Sequence, residues 1–263
     1  MDRIAILYIA IGKYDIFWND FYNSCELNFL RDVPKTYFIF TDSRKIDSKQ
    51  DVHIIPVKDY GWPRNTLDRF SFFDKVSNEL TNFDFCFFFN ANTKFIKKVE
   101  ANEIIPNEEQ DYLVNLSWNT DDGKKPSDLP YERDQNSMAC MNLNGGSKYY
   151  RGGIIGARTK EFLEMKDVLI KNISEDDKHQ IIAIHHDESH LNKYLADKKP
   201  LCLSTYYGRP EEWVVPEDPA IIFRKKENVV SFFYFFKYKR KPAVYLLRNL
   251  YSRIKKCLRY RCW

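Results

Sequence analysis

Three short stretches hold the residue types that could do chemistry. The hydrophobic run FDFCFFFNANTKF ends by delivering Asn90, Ala91 and Asn92. At the end of such a strand a pair of carboxylates could hold a divalent cation through hard oxygen ligands. Both positions here are amides, which can hydrogen-bond a phosphate or a sugar but bring no charge to a cation. A polar turn after a core strand explains the same residues, because Asn is a frequent turn former.

HHDESHLNKYL, over 185–195, sets a row of polar and ionisable residues ahead of a helical face made by Leu191, Tyr194 and Leu195. Packing does not account for such a row, since burying acids costs free energy unless they are partnered. Glu188 is the catalytic candidate. His186 and His190 fall at i, i+4 on one helical face, a spacing compatible with zinc, yet HExxH is absent and no third ligand is evident. The same residues also read as a helix start, in which Asp187 and Glu188 favour the positive end of the dipole. In the third stretch, YYRGGIIGA at 149–157, Gly152 and Gly153 interrupt an apolar run and imply either a bulge or the close approach of a ligand.

The elements that must position these groups follow from hydrophobic spacing. Strand-like runs at 4–11, 37–41, 52–57, 85–89, 112–116 and 154–157 alternate with helical apolar spacing over 17–30, 65–80 and 160–172. That alternation predicts an α/β fold, a single Rossmann-like domain with a mostly parallel central sheet covered by helices. Ligands in such sheets sit beyond the carboxyl ends of the strands, where the first motif falls. Residues 119–146 are polar and aperiodic and read as a long loop, either a functional lid or disordered.

Net charge separates the body from the tail. The whole chain carries +4, but from Arg224 onward 13 Lys and Arg stand against Glu227 alone, so the last 40 residues carry about +12 and the rest about −8. An acidic body argues against nucleic acid as a partner, because a nucleic-acid-binding domain carries its basic footprint across a folded face. The body is expected over 1–230. The tail, 231–263, is read as a basic amphipathic helix with Ala243, Leu247, Leu250, Ile254 and Leu258 on one stripe. Such a helix would lie on an anionic bilayer surface. The six cysteines form no CxxC pair and read as reduced thiols of a cytoplasmic chain. The apolar run at 4–11 is too short to span a bilayer.

Six motifs occur in order: IAIGKY at 9–14, GWPRNTLDRF at 61–70, FFFNAN at 87–92, YERD at 131–134, YYRGGIIGA at 149–157 and HHDESHLNKY at 185–194. Together they resemble glycosyltransferase family six, which includes the blood-group A and B transferases, the alpha-1,3-galactosyltransferases and shorter bacterial relatives. The resemblance implies a GT-A fold and a retaining transfer of galactose or N-acetylgalactosamine from UDP to a galactoside, in alpha-1,3 linkage. It implies that Ala10, Ile11 and Tyr14 line the uridine pocket and that Arg69 approaches the nucleotide. Asn90 and Asn92, with Ala91 between them, stand where vertebrate members carry Asp-x-Asp; bacterial members with the Asn-x-Asn form need no metal, so no cofactor is expected. His186 and Asp187 would contact the donor sugar with Gly152 and Gly153, and Glu188 would face the reacting carbon.

Without a metal, the charge growing on the departing diphosphate must be met by fixed cations. Lys226, Arg224 and Arg69 are the candidates, with the solvated tail as the plainer reading of the first two. By the resemblance, a small residue at position 153 goes with room for an N-acetyl group, so Gly153 places GalNAc before Gal. Trp118, Arg151, Tyr207 and Trp213 are the acceptor-binding candidates. The acceptor is expected to be a bacterial surface glycan such as lipopolysaccharide or a fucosylated, blood-group-like galactoside, met at the inner face of the cytoplasmic membrane. Two rivals differ in class: a zinc hydrolase built on His186 and His190, and a glycan-binding module without turnover.

Overall fold

The hydrophobic run near the start of the chain forms β1, Ile4–Ala10. Its side chains alternate between two apolar clusters, Ile4, Ile6, Tyr8 and Ala10 on one face, Ala5 and Leu7 on the other. A strand buried on both faces belongs inside a sheet covered by two layers. The computed structural model, which describes residues 3–214 and 218–226, has that arrangement. The strands are β2 Lys35–Thr41, β3 Val52–Pro56, β4 Phe85–Phe89, β5 Thr93–Phe95, β6 Leu113–Ser117, β7 Tyr150–Arg158, β8 Leu201–Leu203, β9 Arg209–Pro210 and β10 Ile221–Phe223. The helices are α1 Trp18–Asn28, α2 Arg64–Leu67, α3 Arg69–Asp74, α4 Ser77–Leu80, α5 Ala101–Ile104, α6 Thr159–Lys178 and α7 Asp187–Leu195.

Seven strands form the main sheet in the order β3-β2-β1-β4-β7-β6-β8. All pairings are parallel except those of β7, which runs against β4 and β6. Because β7 is reversed, its first residues lie at the same sheet edge as the last residues of β1, β4 and β6. Three motifs distant in sequence are thereby brought to one edge. A small sheet, β5-β10-β9, adjoins the end of β4. Helix α1 and this small sheet share one cluster with the main sheet, while α3, α6 and α7 share the other.

The expected α/β fold with a mostly parallel sheet is present, with instructive departures. The region 65–80 is not one helix but three short ones, separated where Asp68 and Val76 leave helical dihedrals. The expected strand at 154–157 extends over Tyr150–Arg158, since its first part, with Gly152 and Gly153, forms an irregularity. Opposite it, Asn115 pairs with Ile155 but the next residue, Leu116, pairs with Arg151, so the glycines bulge out of the β6 side of the ladder. Strands β5, β8, β9 and β10 are two or three residues long and show no period by which a sequence could announce them. Residues 119–146 hold only two turns of 3-10 helix, as a loop reading requires.

Helix α6 shows how spacing becomes packing: Phe162, Met165, Leu169 and Ile173 make one buried stripe. Around the end of β4, Phe21, Phe29, Phe89 and Phe95 pack with ring centroids 5.1 to 6.0 Å apart. Aromatic pairs of this kind contribute about 0.5–1.5 kcal/mol each beyond the area they bury, so the strand that carries Asn90 is firmly seated. The cysteines Cys25, Cys86, Cys140 and Cys202 are free. No helix among the described residues is long and apolar enough to cross a membrane. The basic tail expected over 231–263 lies outside the described residues.

Candidate active site

The double-glycine bulge organises the site. Gly152 donates its N–H to Glu188 Oε2 at 2.6 Å and accepts from Arg69 Nη1 on its carbonyl at 2.6 Å. Gly153 accepts the Asn90 backbone N–H at 2.9 Å. A side chain at 152 would intrude here: a Cβ would lie 3.2 Å from Arg69 Nη1 and 3.4 Å from Glu188 Oε2. The glycines form the expected bulge, and the close neighbour at Gly152 is a side chain of the protein rather than a ligand. What approaches closely is the catalytic candidate itself.

Glu188 accepts a second hydrogen bond, from the Tyr149 hydroxyl to Oε1 at 2.7 Å. Burial, then the charge of Glu188, push the Tyr149 phenol well above its ordinary value, so it stays protonated and donates. Asn192, one turn on in α7, bonds the Glu188 carbonyl and both backbone groups of Tyr150. The carboxylate is thus fixed from β7 and from its own helix. The residue before α7, His186, holds φ 56° and ψ −129°. A non-glycine residue in that region costs on the order of 1–3 kcal/mol, a strain that concentrates at functional sites. Its ring meets Trp62 edge-on at 4.9 Å.

Asp187 is almost fully buried beside Arg69, with Nη1 to Oδ2 at 3.2 Å. That Oδ2 receives no hydrogen bond, while the same guanidinium nitrogen donates to Gly152. Burial consequently outweighs the pull of Arg69 and, with the adjacent Glu188 charge, raises the Asp187 carboxyl to about 6. Arg69 also lies over the Phe88 ring, 4.4 Å from its centre. These groups, with Thr66 and His185, line a cleft of about 240 Å³ that also takes in Asn90, Gly152, Gly153, His186, Asp187 and Glu188.

Around that cleft the other candidates fall into two groups. Ala10 is buried and its carbonyl accepts from Thr41 Oγ1, Ile11 closes β1, and Tyr14 follows in a 3-10 turn. Lys226 Nζ stands 5.5 Å from the centre of the Tyr14 ring, so the described end of the chain reaches the end of β1. Arg224 turns its guanidinium to Asp20 over the Phe17 ring. Ala91 accepts from the buried Tyr8 hydroxyl at 2.8 Å. Asn92 is 5 % exposed, and its Nδ2 donates to the Arg224 carbonyl at 2.6 Å; it is not among the groups that line the cleft.

On the other side, Trp118 and Trp213 meet at 4.7 Å, and the Arg151 guanidinium lies 4.3 Å from the Trp118 ring and 4.7 Å from that of Tyr149. Arg151 also pairs with Asp121, which Lys124 shares. Three of the four acceptor candidates come together. Tyr207 is held toward α5, its hydroxyl donating to Glu103 at 2.7 Å. The room inferred at Gly153 needs correction as well: a Cβ there would come within 2.7 Å of the Phe223 ring, so the small residue makes way for β10 in the first place.

The zinc alternative lacks a ligand set. His190 is buried with Nε2 3.5 Å from Asp176, and burial holds it below its usual range, while His186 faces Trp62. Among the described residues no three His, Cys, Asp or Glu side chains converge as a bound ion would require. For an Asp-x-Asp type cation, positions 90 and 92 offer neutral amides in place of carboxylates; Asn92 spends its Nδ2 on the Arg224 carbonyl, and its buried Oδ1 brings no charge to a cation. Sequence reasoning missed Tyr149, Asn192 and Asp121. Asn192 was within reach, lying at i+4 from Glu188 on a recognised helix, whereas the other two meet their partners only through the tertiary fold.

Comparison with known proteins gives the family. The sequence profile of glycosyltransferase family 6 matches residues 3–219. The chain is 34 % identical over 227 residues to the O-antigen biosynthesis glycosyltransferase WbnI of Escherichia coli, covering 86 % of this chain and 95 % of that protein. It is 25 % identical to globoside alpha-1,3-N-acetylgalactosaminyltransferase 1 of Gallus gallus and to histo-blood group ABO system transferase 1 of Rattus norvegicus. Each of these two matches takes in 75 % of this chain but only 58 % of the vertebrate protein. The chain belongs to glycosyltransferase family 6.

Proposed function

We propose that this family 6 member is a retaining hexosyltransferase that moves GalNAc, or Gal, from UDP to a galactoside in alpha-1,3 linkage without a divalent metal. One arrangement supports the reading above all: a carboxylate, Glu188, held from two sides by Tyr149 and Gly152 in a cleft that also contains Arg69 and Asn90. With its orientation fixed, Glu188 stabilises positive charge at the sugar carbon or attacks it, as carboxylates do in retaining glycosidases. The departing diphosphate is assigned to Lys226, with Arg224 and Arg69 in support, because pre-placed cations stabilise developing negative charge without reorganising. Lys226 lies over Tyr14 at the end of β1, next to the residues given to uridine.

Trp118 and Trp213 supply apolar faces on which an acceptor sugar stacks, and Arg151 between Trp118 and Tyr149 links that platform to the Glu188 network. The similarity to an O-antigen transferase favours a bacterial surface glycan such as lipopolysaccharide as acceptor. Because the Phe223 ring takes the space beside Gly153, the size of residue 153 does not rank GalNAc against Gal, and the assay decides between them. The assay is direct: UDP-GalNAc and UDP-Gal are supplied separately with EDTA and a panel of galactosides, and released UDP is measured. Transfer that persists in chelator supports the reading. Activity that appears only with added manganese, or glycan binding without UDP release, refutes it.

The tail at 231–263 is assigned to the anionic inner face of the cytoplasmic membrane, where lipid-linked glycans would be met. Deleting it is expected to abolish binding to anionic liposomes while transfer to a soluble galactoside continues. Undiminished liposome binding by the truncated chain would remove this assignment.

A further inference from the structure

We infer that Asn92 is a positioning residue whose side-chain amide latches the segment bearing Arg224 and Lys226, and that an amide is required because the group it bonds is a carbonyl. The ladder between β5 and β10 runs through Phe223 opposite Thr93. Beyond it, Arg224 N–H donates to the Asn92 backbone carbonyl at 2.8 Å, and Asn92 Nδ2 donates to the Arg224 carbonyl at 2.6 Å. Both backbone polar groups of Arg224 are thus held by one residue. From this point the Arg224 side chain reaches Asp20 on α1, and two residues later Lys226 arrives over Tyr14.

Chemistry makes the amide specific. An ionised carboxylate only accepts, so an oxygen placed against the Arg224 carbonyl would be repelled and would be buried without a donor. The second amide of Asn-x-Asn therefore has a task that the second acid of Asp-x-Asp could not perform in this conformation. Asn90 lines the cleft, whereas Asn92 does not and instead holds the segment whose Arg224 reaches Asp20 and whose Lys226 lies over Tyr14. The inference rests on the proposed function only for its activity readout.

The test compares the full chain with Asn92→Asp and Asn92→Ala. Hydrogen exchange over 221–226 is followed at pH 8 and pH 5 relative to the parent at the same pH, and donor KM and kcat are measured over that range. The charged groups on the latched segment and the elements beside it are Arg224, Lys225 and Lys226, Asp20 on α1, Lys94 on β5 and Glu211 after β9, whose carboxylate accepts the Lys225 N–H, and all are retained in every variant. At pH 8, Asn92→Asp is expected to exchange at least ~10-fold faster and to raise donor KM by ~10-fold, with the acceptor KM unchanged. At pH 5 the buried carboxyl of Asn92→Asp is protonated and again offers a donor to the Arg224 carbonyl, so exchange and KM return toward the parent's. Asn92→Ala, which introduces no charge, is expected to loosen the segment equally at both pH values.

Parent-like exchange of Asn92→Asp at pH 8, or loosening that does not recover at pH 5, would overturn the latch. Parent-like exchange of Asn92→Ala at both values would do the same if the Asn92→Asp variant did not fold. Failure of the parent itself to turn over any UDP-sugar would instead count against the proposed function, and the exchange measurement would still decide the latch.

Discussion

The two sides of the cleft are built in different ways. On the donor side the functional side chains are tied to backbone: Glu188 to the Gly152 N–H, Arg69 to the Gly152 carbonyl, Asn92 to the Arg224 carbonyl. On the acceptor side, Arg151 is tied to the Asp121 carboxylate and lies between the rings of Trp118 and Tyr149, and Trp118 leans on Trp213. Backbone anchors at strand ends do not move without the sheet. Side-chain anchors borrowed from a long loop can be exchanged residue by residue. Under the proposed roles, the contrast teaches that the groups assigned to the chemistry sit on the rigid side and those assigned to the acceptor on the replaceable side.

The sharpest way to break the comparison is Glu188→Gln. Its new Nε2 would replace an acceptor, so the Tyr149 hydroxyl would have to accept where it now donates, and the negative charge of the carboxylate would be lost. Transfer is expected to fall about 10³-fold, the scale seen when a single group that stabilises a transition state is removed. UDP affinity measured by calorimetry should stay within about threefold. Full transfer activity in this variant would remove Glu188 from the reaction.

Next in size is the pH response of the buried acid. Asp187 titrates at about 6 in the fold, above the ~3.9 of an unfolded aspartate. Because its folded value is raised, the native state binds the extra proton, and the contribution of Asp187 to stability falls as pH rises from about 4 to 6. Asp187→Asn cannot titrate. Its unfolding free energy minus that of the parent should therefore grow by on the order of 3 kcal/mol across this window and then level off. Denaturant melts at several pH values check this, and a constant difference would mean that Arg69 holds Asp187 ionised throughout.

The smallest effect is expected where the anchors are replaceable. Trp118→Ala removes one stacking face and should raise the acceptor KM about tenfold, equivalent to about 1.4 kcal/mol. Donor KM and the slow hydrolysis of UDP-sugar should not change. A donor KM that rose with the acceptor KM would erase the distinction between the two sides.

Much of this site was legible in the residues. Gly152 and Gly153 were recognisable as breaks in an apolar run, Asn90 as the polar end of a strand, and His186, Asp187 and Glu188 as a polar row that breaks off before an apolar helix face, and all of them line the same cleft. Interruption betrays a functional residue because packing does not ask for it. Tyr149 gave no such signal: an aromatic beside a strand looks like core, and only the turn of α7 toward β7 puts its hydroxyl on Glu188. The region 65–80 misled for a related reason, since apolar spacing records which side is buried but not where the backbone breaks.

By itself the sequence determined the α/β class, the alternation of buried strand and amphipathic helix, and the polar residues placed at the ends of those elements. These are local properties, set by side-chain period and by the chemistry of each residue. Only the tertiary structure decided that β7 runs antiparallel, so that Gly152 meets Glu188, that Asn92 bonds the Arg224 carbonyl and leaves Asn90 to the cleft, and that Phe223 takes the space beside Gly153. Those pairings join residues up to 132 positions apart. No local pattern encodes them, because contacts at such separation are selected by the packing of the whole sheet.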